Sequence, residues 1–333
     1  MTLGQESERA ARDGARVYGR VAAAVVVLVA IAVWFLPSYY TGLLTLIGLY
    51  ALVAIGLNLF MGYAGQVSLG QAAFVGIGAY TSAALAVKAG LSPWLGTLAA
   101  GAVAALAAYV LSFVALRLRE HLLALATLAL GIVVTVVFDQ WEFLGGSSGF
   151  KGIPNFALGA YTFDQRAYAV LAWVLVALGI LFAANVVNSS YGRSLIAISA
   201  GELGAEALGV HAARLKRQTF VLSAVYAGIA GAVYASQASY IEPNTFNFLL
   251  SVQFVLMSVI GGLRSLWGAV LGAAIVVALG PILQSVVPLV LPNARGDVQS
   301  FFFGAILIAM LVLMPGGLVG ARLGLRHAAE RRA

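Results

Sequence analysis

Long apolar segments, separated by short polar or glycine-rich connections, fill most of this chain. In Val21–Leu36, apolar residues follow one another without the two-residue alternation of a barrel strand. A run of about 20 apolar residues predicts a helix that crosses the hydrocarbon layer, where the backbone must satisfy its own hydrogen bonds. We therefore predict an all-α, polytopic transmembrane helical bundle with about ten spans. The predicted spans are 21–37, 40–61, 67–88, 93–116, 121–140, 166–187, 218–238, 249–263, 266–287 and 299–314.

Composition excludes a soluble protein. Hydrophobic residues make up 62% of the 333 residues and charged residues only 9%, against about 25% charged in soluble domains. The chain has no cysteine, which excludes disulfides and thiolate metal sites. The first apolar stretch is long and lacks a signal-peptidase cleavage pattern, so it is interpreted as an uncleaved span. The predicted organisation is a basic N-terminal segment (1–20), a transmembrane domain (21–314) and a C-terminal tail (315–333).

The distribution of basic residues predicts how the bundle is oriented in the membrane. Fifteen of the 19 Lys and Arg residues fall on the same side as the N-terminus if all ten segments cross, and Lys88, Lys151, Arg166 and Arg295 fall on the other. Because cytoplasmic loops carry an excess of Lys and Arg, both termini are predicted to be cytoplasmic. The net charge of +7 is thereby explained as an orientation signal, and no nucleic-acid partner is predicted.

The segment from Asn58 to Tyr80 carries five glycines and several uncharged polar residues. Glycine lets helices approach closely or lets a helix break, and polar groups at membrane depth normally face the bundle interior. The segment therefore predicts either part of a solute path or a tight turn followed by a packing face. The candidate path residues are Gly65, Gln66, Ser68, Gly70, Gln71, Gly76, Gly78 and Tyr80.

The longest predicted internal loop, residues 188–217, contains a capping-box pattern at Ser199 and Glu202. Gly209 is a suitable stop, so a short helix is predicted from Ala200 to Leu208. Glu202 and Glu206 are four residues apart and should share one face. Such a helix is either offered to a partner protein or is an ordinary solvated connection.

A third segment, Val259–Gly272, has paired glycines and Arg264, which predict a tight turn, and Gly268 and Gly272 form a small-residue packing face. Catalytic patterns are missing. The three histidines are scattered, no Walker A sequence occurs, and Gly146–Gly149 has no histidine on its side of the membrane. No Asp or Glu lies near the middle of a predicted span, so the energy source is expected in another protein. We predict no catalytic or metal-binding residue.

Three stretches together resemble LivM-type permeases of branched-chain amino acid ABC importers. They read GLNLFMGYAGQVSLGQAAFVGIGAY (56–80), YGRSLIAISAGELGAEALGV (191–210) with FVLSAVYAGIAGAVYA (220–235), and VIGGLRSLWGAVLGA (259–273). The resemblance covers about residues 40–315. It implies a multi-pass inner-membrane subunit that is not an enzyme and binds no cofactor, with ATP and Mg²⁺ bound by partner subunits.

The same resemblance implies the partners, besides membrane lipid: a LivH-like second permease, two ABC ATPases and an external solute-binding protein. It also implies that the 188–217 loop couples to an ATPase. The residues that take this role are Gly192, Arg193, Glu202, Glu206, Ala207 and Gly209. Two alternatives stay open at this point. One is a urea or short-amide permease of the same family, and the other is an ATP-independent secondary transporter.

Overall fold

The computed structural model describes residues 2–116, 120–159, 161–290, 296–313 and 317–318. Most of the predicted C-terminal tail, together with Arg117, Arg119 and Arg295, lies outside these residues.

Helices form nearly all of the described chain. They are α1 (Thr2–Phe35), α2 (Ser38–Asn58), α3 (Gln71–Lys88), α4 (Pro93–Ala115), α5 (Glu120–Gln140), α6 (Gln165–Asn188), α7 (Ser190–Ala200), α8 (Glu202–Ala207), α9 (Ala212–Ala238), α10 (Phe248–Gly261), α11 (Leu266–Val290) and α12 (Gly296–Leu313). A π-helical turn follows α2 at Leu59–Tyr63, and short 3₁₀ turns occur at Glu142–Leu144, Gly146–Ser148 and Pro243–Phe246.

Among the described residues, eight helical segments are long and apolar enough to cross a membrane. They confirm eight of the predicted spans. The other two predicted spans coincide with α3 and α12, and their crossing of the membrane stays a prediction. Helix α1 runs without interruption from Thr2 through the first span and ends two residues before Pro37, the first proline of the chain.

The long loop after α5 adds two small strand pairs to the helical bundle. Strand β1 (Phe150–Lys151) pairs antiparallel with β4 (Tyr240–Ile241), and β2 (Ala157–Leu158) pairs with β3 (Tyr161–Thr162). Helix α6 leads from this strand-bearing end to the end that carries α7 and α8. With a rise of 1.5 Å per residue, its 24 residues separate the two ends by about 36 Å.

Helices α2, α3 and α9 form the centre of the bundle. Their residues are buried on almost every side, whereas α1, α4 and α5 expose broad apolar faces. Glycines allow close packing within this centre: Gly78 of α3 lies against the backbone of Gly228 in α9, and Gly231 of α9 lies against the backbone of Val75. Small residues allow this approach, and in lipid such packing holds helices together without a hydrophobic driving force.

Candidate functional site

Helix α2 does not run directly into α3. It ends at Asn58, continues as a π-helical turn, and gives way to a non-helical stretch, residues 64–70, before α3 begins at Gln71. The predicted start of this span at residue 67 is therefore wrong. The physical reason is Gly65, whose φ of +69° reverses the backbone and ends helical hydrogen bonding. We call residues 58–71 the broken segment.

Three other helices form hydrogen bonds with the broken segment and with the residue that follows it. The Gln71 amide donates to the carbonyl and the hydroxyl oxygen of Ser223 in α9, each at 3.0 Å. The Ala72 N–H donates to the Ser251 hydroxyl of α10 at 3.0 Å, and the Leu69 N–H donates to the Thr127 hydroxyl of α5 at 2.9 Å. Non-helical backbone at membrane depth is tolerated only where protein or water supplies such partners.

The sequence alone did not point to Ser223, Ser251 or Thr127. Each lies in an apolar span that contains at least one other serine or threonine. Serine and threonine in helices usually bond to their own preceding turn, so nothing local distinguishes these three from the other hydroxyl residues of the spans.

The remaining polar candidates lie beside this network. Gln66 is buried, and its amide contacts the Gly65 carbonyl at 3.4 Å. Ser68 is fully buried, and its hydroxyl has no hydrogen-bond partner in the structure as described. Gly70 lies against the backbone carbonyl of Thr127, so only glycine fits there. These residues share one region with Gln71.

Gly76, Gly78 and Tyr80 lie elsewhere along α3. Tyr80 stacks on Phe138 with ring centroids 4.2 Å apart, and Phe246 contacts it edge-on. Gly76 faces the rings of Phe138 and Phe246, whereas Gly78 is a helix-packing contact with α9. Nine residues of helix place Tyr80 about 13 Å from Gln71. The structure therefore divides the predicted path into a polar region and an aromatic cluster nearer the strand-bearing end.

A groove of about 500 Å³ runs between α10, α11 and α12. Gln253 and Gln284 both line it, and neither side chain has a hydrogen-bond partner within the described part of the chain. A Cβ built at Gly280 or Gly304, which also line the groove, would meet no atom within 4 Å. Sequence analysis did not single out these residues, although an amide in an apolar span was the available signal.

The predicted capping box is wrong. Ser199 lies in the last turn of α7, where its hydroxyl donates to the Ile196 carbonyl at 2.8 Å. Gly201, in extended conformation, ends α7 and precedes α8, which has no side-chain cap. The extended backbone at Gly201 separates the two helices, so the helix predicted from Ala200 to Leu208 forms only over Glu202–Ala207, and α7 before it was not predicted. The predicted stop at Gly209 is confirmed by its left-handed φ of +83°.

The two glutamates of α8 are not equivalent. Glu202 pairs with Lys216 of α9 at 2.7 Å, and the Lys216 side chain is only 8% exposed. Glu206 and Ala207 are exposed, and Glu206 has no partner among the residues that the structure describes. Glu202 therefore connects α8 to the bundle, whereas the Glu206 carboxylate is exposed to solvent.

Apolar side chains dominate the outer surface of α8. Leu203 is 85% exposed and Leu208 is 84% exposed, while Ala205 between them is buried. Both leucines belong to the short connection between α7 and α9, so their exposure leaves apolar surface uncovered at this end of the bundle.

Gly192 and Arg193 shape the bend between α6 and α7. A Cβ at Gly192 would collide with the Val187 carbonyl, so this tight bend requires glycine. Arg193 is exposed and reaches back to the Asn188 carbonyl at 3.4 Å. Burial raises the pKa of the nearby Tyr191 hydroxyl, which therefore stays protonated and donates to the Leu215 carbonyl at 3.1 Å.

The turn between α10 and α11 lies against the broken segment. Gly262 has a φ of 111° and Arg264 a φ of 65°, both in the left-handed region. The predicted tight turn is confirmed, and the Asn58 side chain bonds directly to its backbone. Among the residues that the structure describes, no three His, Cys, Asp or Glu side chains are grouped to hold a metal.

Comparison with known proteins gives one consistent result. Residues 39–311 match the protein family described as branched-chain amino acid transport system / permease component. The chain is 28% identical to the high-affinity branched-chain amino acid transport system permease protein LivM of Escherichia coli K12, over 92% of this chain and 76% of the relative. It is also 28% identical to LivH of the same organism, over 86% and 96%. A shorter match, 28% identical over 59% of this chain and 54% of the relative, is to the autoinducer 2 import system permease protein LsrC of Yersinia pseudotuberculosis. No solved structure matches the chain.

Proposed function

We propose, from the premise that this chain belongs to the family of branched-chain amino acid transport permeases, that it translocates branched-chain or other small apolar amino acids that an external solute-binding protein delivers. The observation that carries this proposal is the extent of the family match. Residues 39–311 include both the broken segment and α8.

Members of this family are non-catalytic transmembrane subunits of the bacterial inner membrane. They bind no cofactor, and ATP is hydrolysed in partner ATPases. The chain is accordingly a multi-pass inner-membrane permease.

The α7–α8 end and the broken segment have different roles in the proposed transport. The α7–α8 end faces the cytoplasm and docks on an ATPase, chiefly through Leu203, Leu208 and Glu206. The broken segment forms part of the solute path, because its backbone and Gln71 provide uncharged hydrogen-bonding groups inside an apolar bundle. ATP binding in the partner subunits moves α8, and access to the path switches sides.

The second permease subunit packs against the groove between α10, α11 and α12. The side-chain amides of Gln253 and Gln284 have no hydrogen-bond partner within the described residues. Such groups are costly to expose to lipid, because they lose their hydrogen bonds to water there. Glutamine side chains and small residues are also the typical components of helix–helix interfaces in membranes. Gln253, Gln284, Gly280 and Gly304 provide both on one surface.

Cysteine crosslinking tests this interface. Because the chain has no native cysteine, a Gly304→Cys variant carries a single thiol. We expect a short bifunctional thiol reagent to link it to a cysteine placed in a span of the second permease, as seen by gel shift. Leu98→Cys, on the exposed face of α4, is the matched control and should stay unlinked. Equal linking of the two variants, or of neither, would reject the groove as the interface.

Purification and reconstitution test the function itself. The tagged chain, purified from native membranes in mild detergent, should bring along two ATPase subunits and a second permease in fixed ratio. In proteoliposomes the complex should take up leucine, isoleucine or valine only with ATP and the binding protein present. Uptake of urea or acetamide instead would reject the proposed solute class. A complex that contains only this chain would reject the ABC assembly.

A further inference from the structure

We propose that Asn58 and Arg264 form a mechanical link that carries movement of the α7–α8 loop to the broken segment. The inference rests on the proposed function, since it concerns how ATPase movement reaches the solute path. Three parts of the chain meet at this link: the broken segment, the turn between α10 and α11, and the last turn of α7.

Asn58 fixes the first two parts to each other. Its side chain is fully buried. The side-chain carbonyl accepts the Arg264 N–H at 2.9 Å, and the amide donates to the carbonyls of Gly262 at 3.2 Å and Ser265 at 3.0 Å. One side chain thus satisfies three backbone groups of a turn that lies more than 200 residues away in sequence. The last residue of α2 and the α10–α11 turn therefore move as one unit.

Arg264 extends this unit to the third part. Its Nε donates to the Gly62 carbonyl in the π-helical turn at 2.9 Å, and a terminal nitrogen donates to the Ser199 hydroxyl in α7 at 2.8 Å. Its own carbonyl accepts the Tyr63 hydroxyl at 2.6 Å. Hydrogen bonds from a guanidinium are stronger than those between neutral groups. Arg264 makes them from a left-handed backbone that only its surroundings can maintain.

Two glycines of the broken segment allow it to contact both the α10–α11 turn and the end of α7. A Cβ at Gly62 would collide with the Asn58 side-chain oxygen and lie 2.6 Å from the Arg264 nitrogen. A Cβ at Gly65 would lie 3.1 Å from that of Ser199. Larger residues would separate the broken segment from both the turn and the α7–α8 loop.

Ser199 lies next to the junction of α7 and α8, which explains how movement of α8 reaches the link. Two residues after Ser199, Gly201 joins α7 to α8, so movement of α8 is passed along the backbone to the end of α7. From Ser199 the contact runs through Arg264 to Gly62 and Tyr63, which lie in a π-helical turn, a helix form frequent at functional sites. Beyond this turn the chain leads directly to Gln71 and its hydrogen bonds with α9.

An Arg264→Gly variant isolates the side-chain part of the link. Glycine adopts the left-handed backbone without strain, and the backbone bonds to Asn58 and Tyr63 remain possible. We expect the complex to assemble with its ATPases in the wild-type ratio and with unchanged basal ATP hydrolysis, while amino acid uptake per ATP hydrolysed falls at least threefold. Arg214→Ala, which removes an exposed arginine at the same end, should leave this ratio unchanged.

A double variant separates a link from a general structural role. Ser199→Ala removes the acceptor on α7. If both residues act through one contact, Arg264→Gly with Ser199→Ala should be no more defective in uptake per ATP than Arg264→Gly alone. Multiplied defects in the double variant, or a wild-type ratio in Arg264→Gly, would overturn the link. Either result would leave the proposed function intact, because that function fails only if the wild-type complex shows no ATP-dependent uptake.

Discussion

Replacing Gly231 by alanine is expected to stop the folded permease from accumulating, whereas the same replacement at Gly101 should be tolerated. Both glycines are buried within helices of the same packed group, α4 and α9. The two substitutions differ in the atoms that the added methyl group would contact.

At Gly231 the methyl group would collide with the Val75 carbonyl and lie 3.0 Å from the Ala79 nitrogen, both backbone atoms of α3. Backbone in a packed helix cannot move aside, so α3 and α9 would have to separate. Overpacking typically costs about 1–3 kcal/mol and sometimes more, and we expect a value at or above the upper end. At Gly101 the nearest atoms belong to the Ile229 side chain at 3.4 Å or more, which is ordinary contact.

Size-exclusion profiles of the solubilised complex and its thermal unfolding temperature measure this effect. Gly231→Ala should give little monodisperse protein and a clearly lower unfolding temperature, while Gly101→Ala should match the wild type. If the two variants unfolded at the same temperature, the close approach of α3 and α9 would not be a determinant of the fold.

Changing the two exposed leucines between α7 and α9 to aspartate, Leu203→Asp with Leu208→Asp, should abolish ATPase binding. Burying one leucine contributes about 1.5–3 kcal/mol, so loss of two removes about 3–6 kcal/mol from docking. Since about 1.4 kcal/mol corresponds to a tenfold change in affinity, the expected loss exceeds 100-fold. The ATPases should no longer co-purify, and uptake should fall to background.

Leu158→Asp provides the matched control, because this leucine is also well exposed but lies at the strand-bearing end. It should retain the ATPases at wild-type stoichiometry. Retention of the ATPases by the double leucine variant would show that α8 is not the docking element.

Variants of the two α8 glutamates should differ in their effects on ATPase binding and on permease stability. Glu206→Lys changes an exposed carboxylate and should weaken ATPase binding while leaving the permease itself stable. Glu202→Gln leaves the buried Lys216 ammonium without its partner, so it should lower the unfolding temperature of the permease. Similar effects of both variants on both measurements would contradict the separate roles that the structure gives them.

The sequence by itself determined that the chain is a helical membrane protein, where most of its long helices lie and which family it belongs to. Lipid imposes these features directly. A span must be long and apolar, so each apolar run can be recognised without knowledge of its neighbours. The stop at Gly209 and the turn at Gly262 could likewise be predicted, since a left-handed backbone favours glycine locally.

Only the tertiary structure decided which polar groups meet. Asn58 bonds to a turn about 200 residues away, Gln71 bonds to Ser223, and Glu202 pairs with Lys216 rather than facing solvent. Central helices are apolar on every side, so their sequences carry no periodic signal for the side that faces each neighbour. Close backbone approach at Gly78 and Gly231 fixes those neighbours, and the hydrogen bonds of the site follow from that packing.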